Sequence, residues 1–476
     1  MILPYQPRLD RRTLLAGGAA LFATSALPQT HSCESSAREY KLLSAPARVQ
    51  IVDRTHPETA VWAYAGQVPG PKVRVRQGER LRLVVQNNLP EATTVHCHGI
   101  RLPNAMDGVP DLTQKPIEPG ETFVYEFDCP DAGTFWYHPH ANSAAQVGRG
   151  LYGALIVEER APPIVDREVV WVLDDWRLQK DASIHPDFRN LHDITHAGRL
   201  GNTITVNGRL AESFPVRAGE RIRLRLINAA NARVFSLNFA EHSPVVIAID
   251  GQPVEPHAAL GGRIVLGPAT RVDLVLDLSG KPGKRYAVHD DFYPRSNYTF
   301  LELVYAERAL RDNLMDGGVQ LSRNPLSEPD LNVAMRHQVV LGGGMMGRMM
   351  SAVVDGQEMD VRSMFRSGVA WAMNGVATTG HTHEPLFKFE RNRSYVIEMI
   401  NDTVWPHPMH LHGHSFRVIS RNGKPEPHRP WQDTVLLLGR EWVEIAFVAD
   451  NPGDWMFHCH VLEHQIAGMM GVVRIV

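Results

Sequence analysis

One phrase returns three times, and it limits what this chain can fold into more than any other feature. Arg76-Gln-Gly-Glu-Arg-Leu-Arg-Leu-Val-Val-Gln-Asn-Asn88 is echoed by Arg217-Ala-Gly-Glu-Arg-Ile-Arg-Leu-Arg-Leu-Ile-Asn228. A weaker third copy is Glu390-Arg-Asn-Arg-Ser-Tyr-Val-Ile-Glu-Met-Ile-Asn401. The copies lie a domain's length apart, and self-similarity at that period marks a repeated structural unit. Each copy alternates apolar with polar residues between Gly, Pro and Asn, which is the pattern of strands with one buried face. No stretch carries a long amphipathic helical period. The expectation is all-β: three consecutive β-sandwich domains at 38–160, 161–308 and 335–476, with a linker at 309–334.

A second echo ties the outer two units together. Asp131-Ala-Gly-Thr-Phe-Trp-Tyr-His-Pro-His140 aligns without gaps on Asn451-Pro-Gly-Asp-Trp-Met-Phe-His-Cys-His460. Leu151-Tyr-Gly153 then falls where Met469-Met-Gly471 does. In the middle unit the matching place, Phe235-Ser-Leu-Asn-Phe239, holds no histidine. That unit reads as a spacer with no metal of its own.

Histidine is the compositional outlier, with 23 copies. Four segments pair two histidines across one residue: His96-Cys-His98, His138-Pro-His140, His410-Leu-His412 and His458-Cys-His460. On extended chain the two members of a pair project from one face. A lone pair of this kind is usually incidental, and two could make a zinc or nickel site. Four pairs leave little room for a bland reading, since imidazole suits copper, zinc, iron and nickel. Cys459 faces away from the two histidines that flank it. His464 follows it, then Met469, and His407 stands three residues before His410. Two histidines, a cysteine and a nearby thioether make the ligand set of a blue electron-transfer copper. A cysteine wedged between ligands of a second site joins the two sites covalently, which argues for redox chemistry. His414 fills no gap and reads as a supporting histidine, while His185, His192, His196, His381 and His383 lie in loop-like stretches and read as surface residues.

The remaining composition bounds the setting. At 476 residues with 43% hydrophobic and 21% charged side chains, the chain has ample core for several domains. A net charge of −3 gives no reason to expect nucleic acid or an anionic membrane as partner. Residues 1–35 read as an export signal: Arg11-Arg12 precede a mild apolar run, Leu14 to Leu27, in the manner of bacterial twin-arginine signals. That run is short of the ~20 residues needed to span a bilayer. A periplasmic location without stable membrane insertion is expected, with cleavage between Ala26 and Ser36. Cys33 is a poor match to a lipidation site. Four cysteines do not make a disulfide scaffold. Cys97 and Cys129 are open to two readings, a disulfide or two buried thiols.

The four histidine segments, with His98-Gly-Ile-Arg-Leu-Pro-Asn-Ala-Met-Asp-Gly-Val-Pro110, Val206-Asn-Gly208, Ile249-Asp-Gly-Gln-Pro-Val254 and Asn374-Gly375, resemble the multicopper oxidases. The resemblance is to the three-domain bacterial laccase-like members and covers nearly the whole chain. It implies three cupredoxin-like Greek-key β-sandwich domains and four copper ions. By it, a type 1 copper falls to His407, Cys459 and His464 with Met469 axial. A type 2 copper falls to His96 and His410. One type 3 copper falls to His98, His138 and His460, and its partner to His140, His412 and His458. Asp107 stands where the family carries an acidic residue near the type 2 copper and is expected to donate protons. The ordinary reading of the same residue is turn chemistry before Gly108. Gln465 departs from relatives that carry a carboxylate after the type 1 histidine, which puts a proton route through that point in doubt.

The resemblance implies an oxidase that couples one-electron oxidation of a donor to four-electron reduction of O2 to water, with Cys459 linking the two stages. Two classes of donor remain open: phenols and aromatic amines, or Cu(I) and Mn(II) in metal homeostasis. Eight of the sixteen methionines fall between 335 and 373, within or around a Met-rich segment at 342–364 that is densest at Met345-Met-Gly-Arg-Met-Met350. Thioethers select Cu(I), yet methionines in a Gly-rich linker also simply fill gaps. A non-catalytic electron carrier is disfavoured, because a carrier has no use for eight further histidines. A two-domain copper nitrite reductase would lack two of the four pairs. Three domains in one chain can form an interdomain cluster as a monomer.

Overall fold

The computed structural model describes residues 37–380 and 384–476; the expected export signal with Cys33, and His381 and His383, lie outside them. Six sheets pair into three sandwiches. In the first, the strands Thr59–Tyr64, Arg38–Val49, Arg80–Asn87 and Thr122–Asp128 face Val73–Arg76, Gly153–Glu158, Gly133–His138 and His96–His98, each set in that order across its sheet. The second sandwich has a seven-stranded and a five-stranded sheet, the third a ten-stranded and a five-stranded one. Between Tyr305 and Met335 the chain forms no strand or helix. Among the described residues no helix is long and apolar enough to cross a membrane.

The threefold echo is a repeated hydrogen-bonding pattern. The repeated phrases form the strands Arg80–Asn87, Arg221–Asn228 and Ser394–Asn401. Each lies parallel to the opening strand of its own sandwich, Arg38–Val49, Arg167–Trp176 or Met335–Gly343. Each ends on a buried asparagine that ties the corner beyond it. The Asn87 amide donates to the Glu91 and Ile117 carbonyls, that of Asn228 to Arg233 and Leu266, and that of Asn401 to Trp405 and Leu438. The side-chain oxygen accepts the amide of the residue two further on: Leu89, Ala230 or Thr403. A buried amide left unpaired would cost about 1–3 kcal/mol, so each corner is strongly specified. These corners aim the following strands, which in the outer sandwiches begin at His96 and His407.

Strand pairing then sets the histidines in register. His96 lies opposite His138, and His410 opposite His458, while Met409 faces Cys459. The corresponding strands of the second sandwich are Phe235–Asn238 and Arg285–Asp290, where Asn238 faces an exposed His289. One buried cluster runs from the first sandwich into the third, carrying Val95, Cys97 and Phe135 together with Met409, Trp455 and Phe457. The second sandwich has a core of its own around Leu224, Leu274 and Leu303. A smaller seam joins it to the first through Trp136, Val172 and Ile227. Cys97 and Cys129 are both buried free thiols, which decides between the two readings of that pair.

Candidate metal centres

Two pockets of buried donors lie on either side of the strand Gly453–Cys459. The smaller one is built by the third sandwich. His407 Nδ1 and His464 Nδ1 stand 3.5 and 3.7 Å from Cys459 Sγ and 3.1 Å from each other. All three residues are completely buried. The opposite nitrogens are held: His407 Nε2 donates to Thr403 Oγ1 at 2.9 Å, and His464 Nε2 to the His196 carbonyl at 2.7 Å. Both Nδ1 atoms are thereby left as bare acceptors turned on a thiol. Burial holds both imidazoles well below their ordinary value, His464 at about 3, and it pushes the Cys459 thiol up. Two imidazole lone pairs so close to one another, beside a sulfur that does not ionise unaided, fit a bound cation better than they fit each other. Met469 is buried beside them; its amide donates to the His464 carbonyl, and its own carbonyl accepts from the Cys459 amide. The Trp371 ring lies 4.1 Å from that of His464 and 5.0 Å from that of His407.

The larger pocket gathers eight histidines from the first and third sandwiches, each at most 6% exposed. His98 stacks on His410 at 3.7 Å, and His96 on His412 at 4.0 Å, so each first-sandwich imidazole of that strand lies flat against one from the third. The five atoms His96 Nε2, His98 Nδ1, His140 Nε2, His410 Nε2 and His460 Nδ1 have no hydrogen-bond partner among the described residues. Burial, with the neighbouring imidazoles adding to it, holds His98, His138, His140, His412, His458 and His460 well below the ordinary histidine value. Neutral, desolvated and unpartnered nitrogens are what a metal cluster needs as ligands.

One donor atom each from His98, His138 and His460 falls within 4.8 Å, and the same holds for His140, His412 and His458. His96 groups with His98 and His410, and also with His138 and His140. These overlapping groups fit several closely spaced ions.

The nitrogens turned away from the pocket are the ones that fix each ring. His96 Nδ1 donates to the Asp107 backbone carbonyl, and His410 Nδ1 to that of Asp433, both at 2.8 Å. His412 Nδ1 meets Asp107 Oδ2 at 2.8 Å. His98 alone of its strand uses the other nitrogen, with Nε2 3.1 Å from Asp433 Oδ1. The two histidines of one HxH pair therefore offer different ring atoms, a detail no spacing reveals. Asp107 is 1% exposed and touches rings of both sandwiches. Its Oδ1 lies 3.2 Å from His96 Nδ1, whose proton goes to the Asp107 carbonyl, so that oxygen has no hydrogen-bond partner among the described residues.

Several contributors were invisible in the sequence. Asp433, Arg271 and Asp250 form a buried ionic group behind His98 and His410. Burial works against ionisation of Asp433, but Arg271 outweighs it and holds the carboxyl below the usual range. Burial, with Asp433 adding to it, pushes Asp250 up to about 7. Glu463 is fully buried, accepting from the Arg199 amide and the Asn231 side chain, and burial raises it. Gln465 Nε2 is 3.5 Å from His140 Nδ1, and Gln465 Oε1 accepts from Ser143 at 3.3 Å. His414 is buried with its Nδ1 on the His412 carbonyl, supporting a neighbour and facing neither pocket directly. His185 pairs with Asp187 on the surface and His192 is exposed. His196 departs from the surface reading: it is half-buried, its carbonyl receives the His464 proton, and its ring meets Trp405 at 5.4 Å.

The comparisons with known proteins agree with this chemistry. Family models described as multicopper oxidase match residues 47–162, 167–305 and 355–476. Multicopper oxidase MmcO of Mycobacterium tuberculosis is 30% identical over 89% of this chain and 84% of its own. A multi-copper oxidase from Pseudomonas thermotolerans superposes with a TM-score of 0.79 at 34% identity, over 92% of this chain and 99% of that one. A multicopper oxidase from Campylobacter jejuni, described as a metallo-oxidase, superposes at 0.77 with 25% identity, over 94% and 93%. On these matches and on the two donor pockets, the chain belongs to the multicopper oxidase family, the copper-dependent oxidoreductases that reduce O2 with electrons from a reducing substrate.

Proposed function

We propose that this protein is a laccase-like oxidase that couples one-electron oxidation of phenols or aromatic amines to four-electron reduction of O2 to water. The observation that carries it is the strand bearing His458, Cys459 and His460. Cys459 turns into the smaller pocket while the histidines bonded to it on both sides turn into the larger one. A covalent path of the chain's own atoms therefore joins a one-electron site to a site with eight imidazoles. His407, Cys459 and His464, with Met469 buried beside them, would hold a type 1 copper. His96 and His410 would hold a type 2 copper, with the two triads holding the type 3 pair. Four such ions, when bound, store the four electrons that O2 requires, so that partly reduced oxygen is not released.

The chain's residues supply the rest. Asp107 holds the His412 ring through Oδ2 and keeps Oδ1 free, and it is proposed to hand protons toward reduced oxygen. The His196 carbonyl carries the His464 proton, and the neighbouring rings of His196, Trp405 and His192 form a face on which an aromatic donor can stack.

A second donor reading rests on the methionine segment. The Met345 amide donates to the Thr195 carbonyl, and Trp405 Nε1 donates to the Met345 carbonyl. The segment is thereby anchored beside the same face, with Met346 and Met350 63% and 77% exposed. Soft sulfurs placed there suit Cu(I). The purified enzyme assayed with a bulky phenol and with Cu(I), before and after deletion of 342–350, separates the two. Strong phenol turnover with Cu(I) oxidation untouched by the deletion supports the first reading. Cu(I) oxidation lost on deletion, with phenols poor throughout, supports the second. The reading includes export to the periplasm on a twin-arginine-type signal and action as a monomer.

A further inference from the structure

We infer that Arg271, a residue of the sandwich that holds no copper ligand, is a positioning residue for the type 2 and type 3 coppers, acting through Asp433 on His98 and His410. The inference rests on the copper reading above and adds a role for the second sandwich, which the sequence presents as a spacer.

Arg271 begins the strand Arg271–Asp277 and is completely buried. Its guanidinium reaches all three sandwiches. Nε donates to the Thr134 carbonyl in the first at 3.2 Å. In the second, Nη1 donates to the Ala269 carbonyl and lies 3.4 Å from Asp250 Oδ1. Its two terminal nitrogens donate to the two oxygens of Asp433 in the third, Nη1 to Oδ1 at 2.8 Å and Nη2 to Oδ2. A two-pronged guanidinium–carboxylate pair fixes the orientation of the carboxylate as well as its charge. Asp250 completes the frame, its Oδ2 accepting from the backbone amides of Asp433 and Thr434 at 3.3 and 3.2 Å.

What the frame fixes is which ring nitrogen each ligand offers. Asp433 Oδ1 already accepts from Arg271 Nη1 and from the Thr434 hydroxyl, so His98 Nε2, 3.1 Å from the same oxygen, is placed to donate to it. His98 Nδ1 is then the bare atom, and it has no hydrogen-bond partner among the described residues. The Asp433 carbonyl likewise takes the His410 Nδ1 proton and leaves Nε2 bare. Thr434 Oγ1, itself donating to Asp433 Oδ1, sits 3.0 Å from His98 Nε2 and 3.1 Å from His410 Nδ1. Without the guanidinium the carboxyl group loses the two-pronged partner that fixes its plane, and His98 loses its fixed acceptor. The glycine after His98 makes room for this pair: Gly99 has φ of +86°, and a Cβ there would run into both the Arg271 Nη2 and the Asp433 Oδ2 atoms.

The test compares wild type, Arg271→Gln and Arg271→Lys, each reconstituted with Cu(II) and dialysed against a graded chelator. The readouts are blue absorbance, the type 2 EPR signal, copper per chain and melting temperature. Partners that orient metal-bound histidines typically carry 10–100-fold in metal affinity. Arg271→Gln is therefore expected to lose its type 2 signal at about 10–100-fold lower chelator concentration, with altered EPR parameters and the blue absorbance retained. Lys keeps the charge without the fork and is expected to fall between the two. If both variants hold type 2 copper as tightly as wild type with unchanged EPR parameters, whatever their melting temperatures, Arg271 is interdomain packing and the proposal is wrong. If wild type itself shows neither blue absorbance nor a type 2 signal, the copper reading falls, and this proposal with it.

Discussion

The second and third sandwiches turn the same corner and do different things with it. Asn228 and Asn401 end equivalent strands and make the same amide bonds, and each accepts the amide two residues on. In the second sandwich that residue is Ala230, and the next strand starts at Phe235 with no donor atom. In the third it is Thr403, whose hydroxyl donates to Asn401 Oδ1 at 2.7 Å and receives the His407 Nε2 proton at 2.9 Å. One hydroxyl thus turns a structural corner into the device that leaves His407 Nδ1 bare. A sandwich with a buried donor pocket differs from a silent one by a few side chains hung on a shared frame. The silent one still works from behind, lending the His196 carbonyl to one pocket and Arg271 to the other.

The sharpest break of the comparison is Cys459→Ser, which leaves the frame and removes the link. Blue absorbance and oxidation of every donor are expected to vanish, measured by visible spectroscopy and O2 uptake; retained turnover would refute the proposed path. Next is Asp107→Asn, which keeps a partner for His412 but removes the acid. A loss of about 100-fold in turnover, steepest at high pH where protons are scarce, is expected in a pH–rate profile with the blue band unchanged.

A third effect concerns the buried imidazoles. His464 and His414 are held at about 3 and 4 by burial, below their unfolded value. The unfolded chain therefore takes up their protons first. The stability they permit is present above about pH 6.5 and is lost as pH falls below it. Denaturation of the metal-free protein at pH 8, 6 and 4 should show a drop on the order of a few kcal/mol. Smaller still, Asn228→Ala and Asn401→Ala should each cost about 1–3 kcal/mol in denaturant titrations. Only the Asn401 variant should also shift the blue band, because only there does the corner reach a ligand. Least of all, Gln465→Glu puts a carboxylate near His140 Nδ1 and should change turnover by less than about tenfold, seen as a raised rate on the alkaline side. No change in the pH profile would show that protons do not pass this point.

Much of the candidate site was legible because its chemistry lies in local spacing. HxH pairs on strands and a cysteine between two of them are visible in short stretches, and the threefold phrase announced the sandwiches. What stayed hidden depends on pairings far apart in the chain. Nothing around Asp433 or Arg271 marks them, since their meaning lies in a contact across 162 positions. The His196 reading missed for the same reason: its backbone carbonyl matters more than its ring, and sequence patterns speak of side chains. The spacer reading of the second sandwich speaks only of ligands and is silent about support.

The buried cluster shared by the first and third sandwiches has a consequence for how the molecule is made. Leu83 and Phe135 leave the ribosome long before Phe457, yet they belong to one core with it. His98 waits likewise for His410 and His460, so the first sandwich emerges with an apolar flank and four imidazoles uncovered. Such long-range closure is slow and leaves sticky surface exposed in the meantime. The order of synthesis therefore delays both the completed core and the completed cluster until the last strands arrive. Metal met earlier would find only half a site.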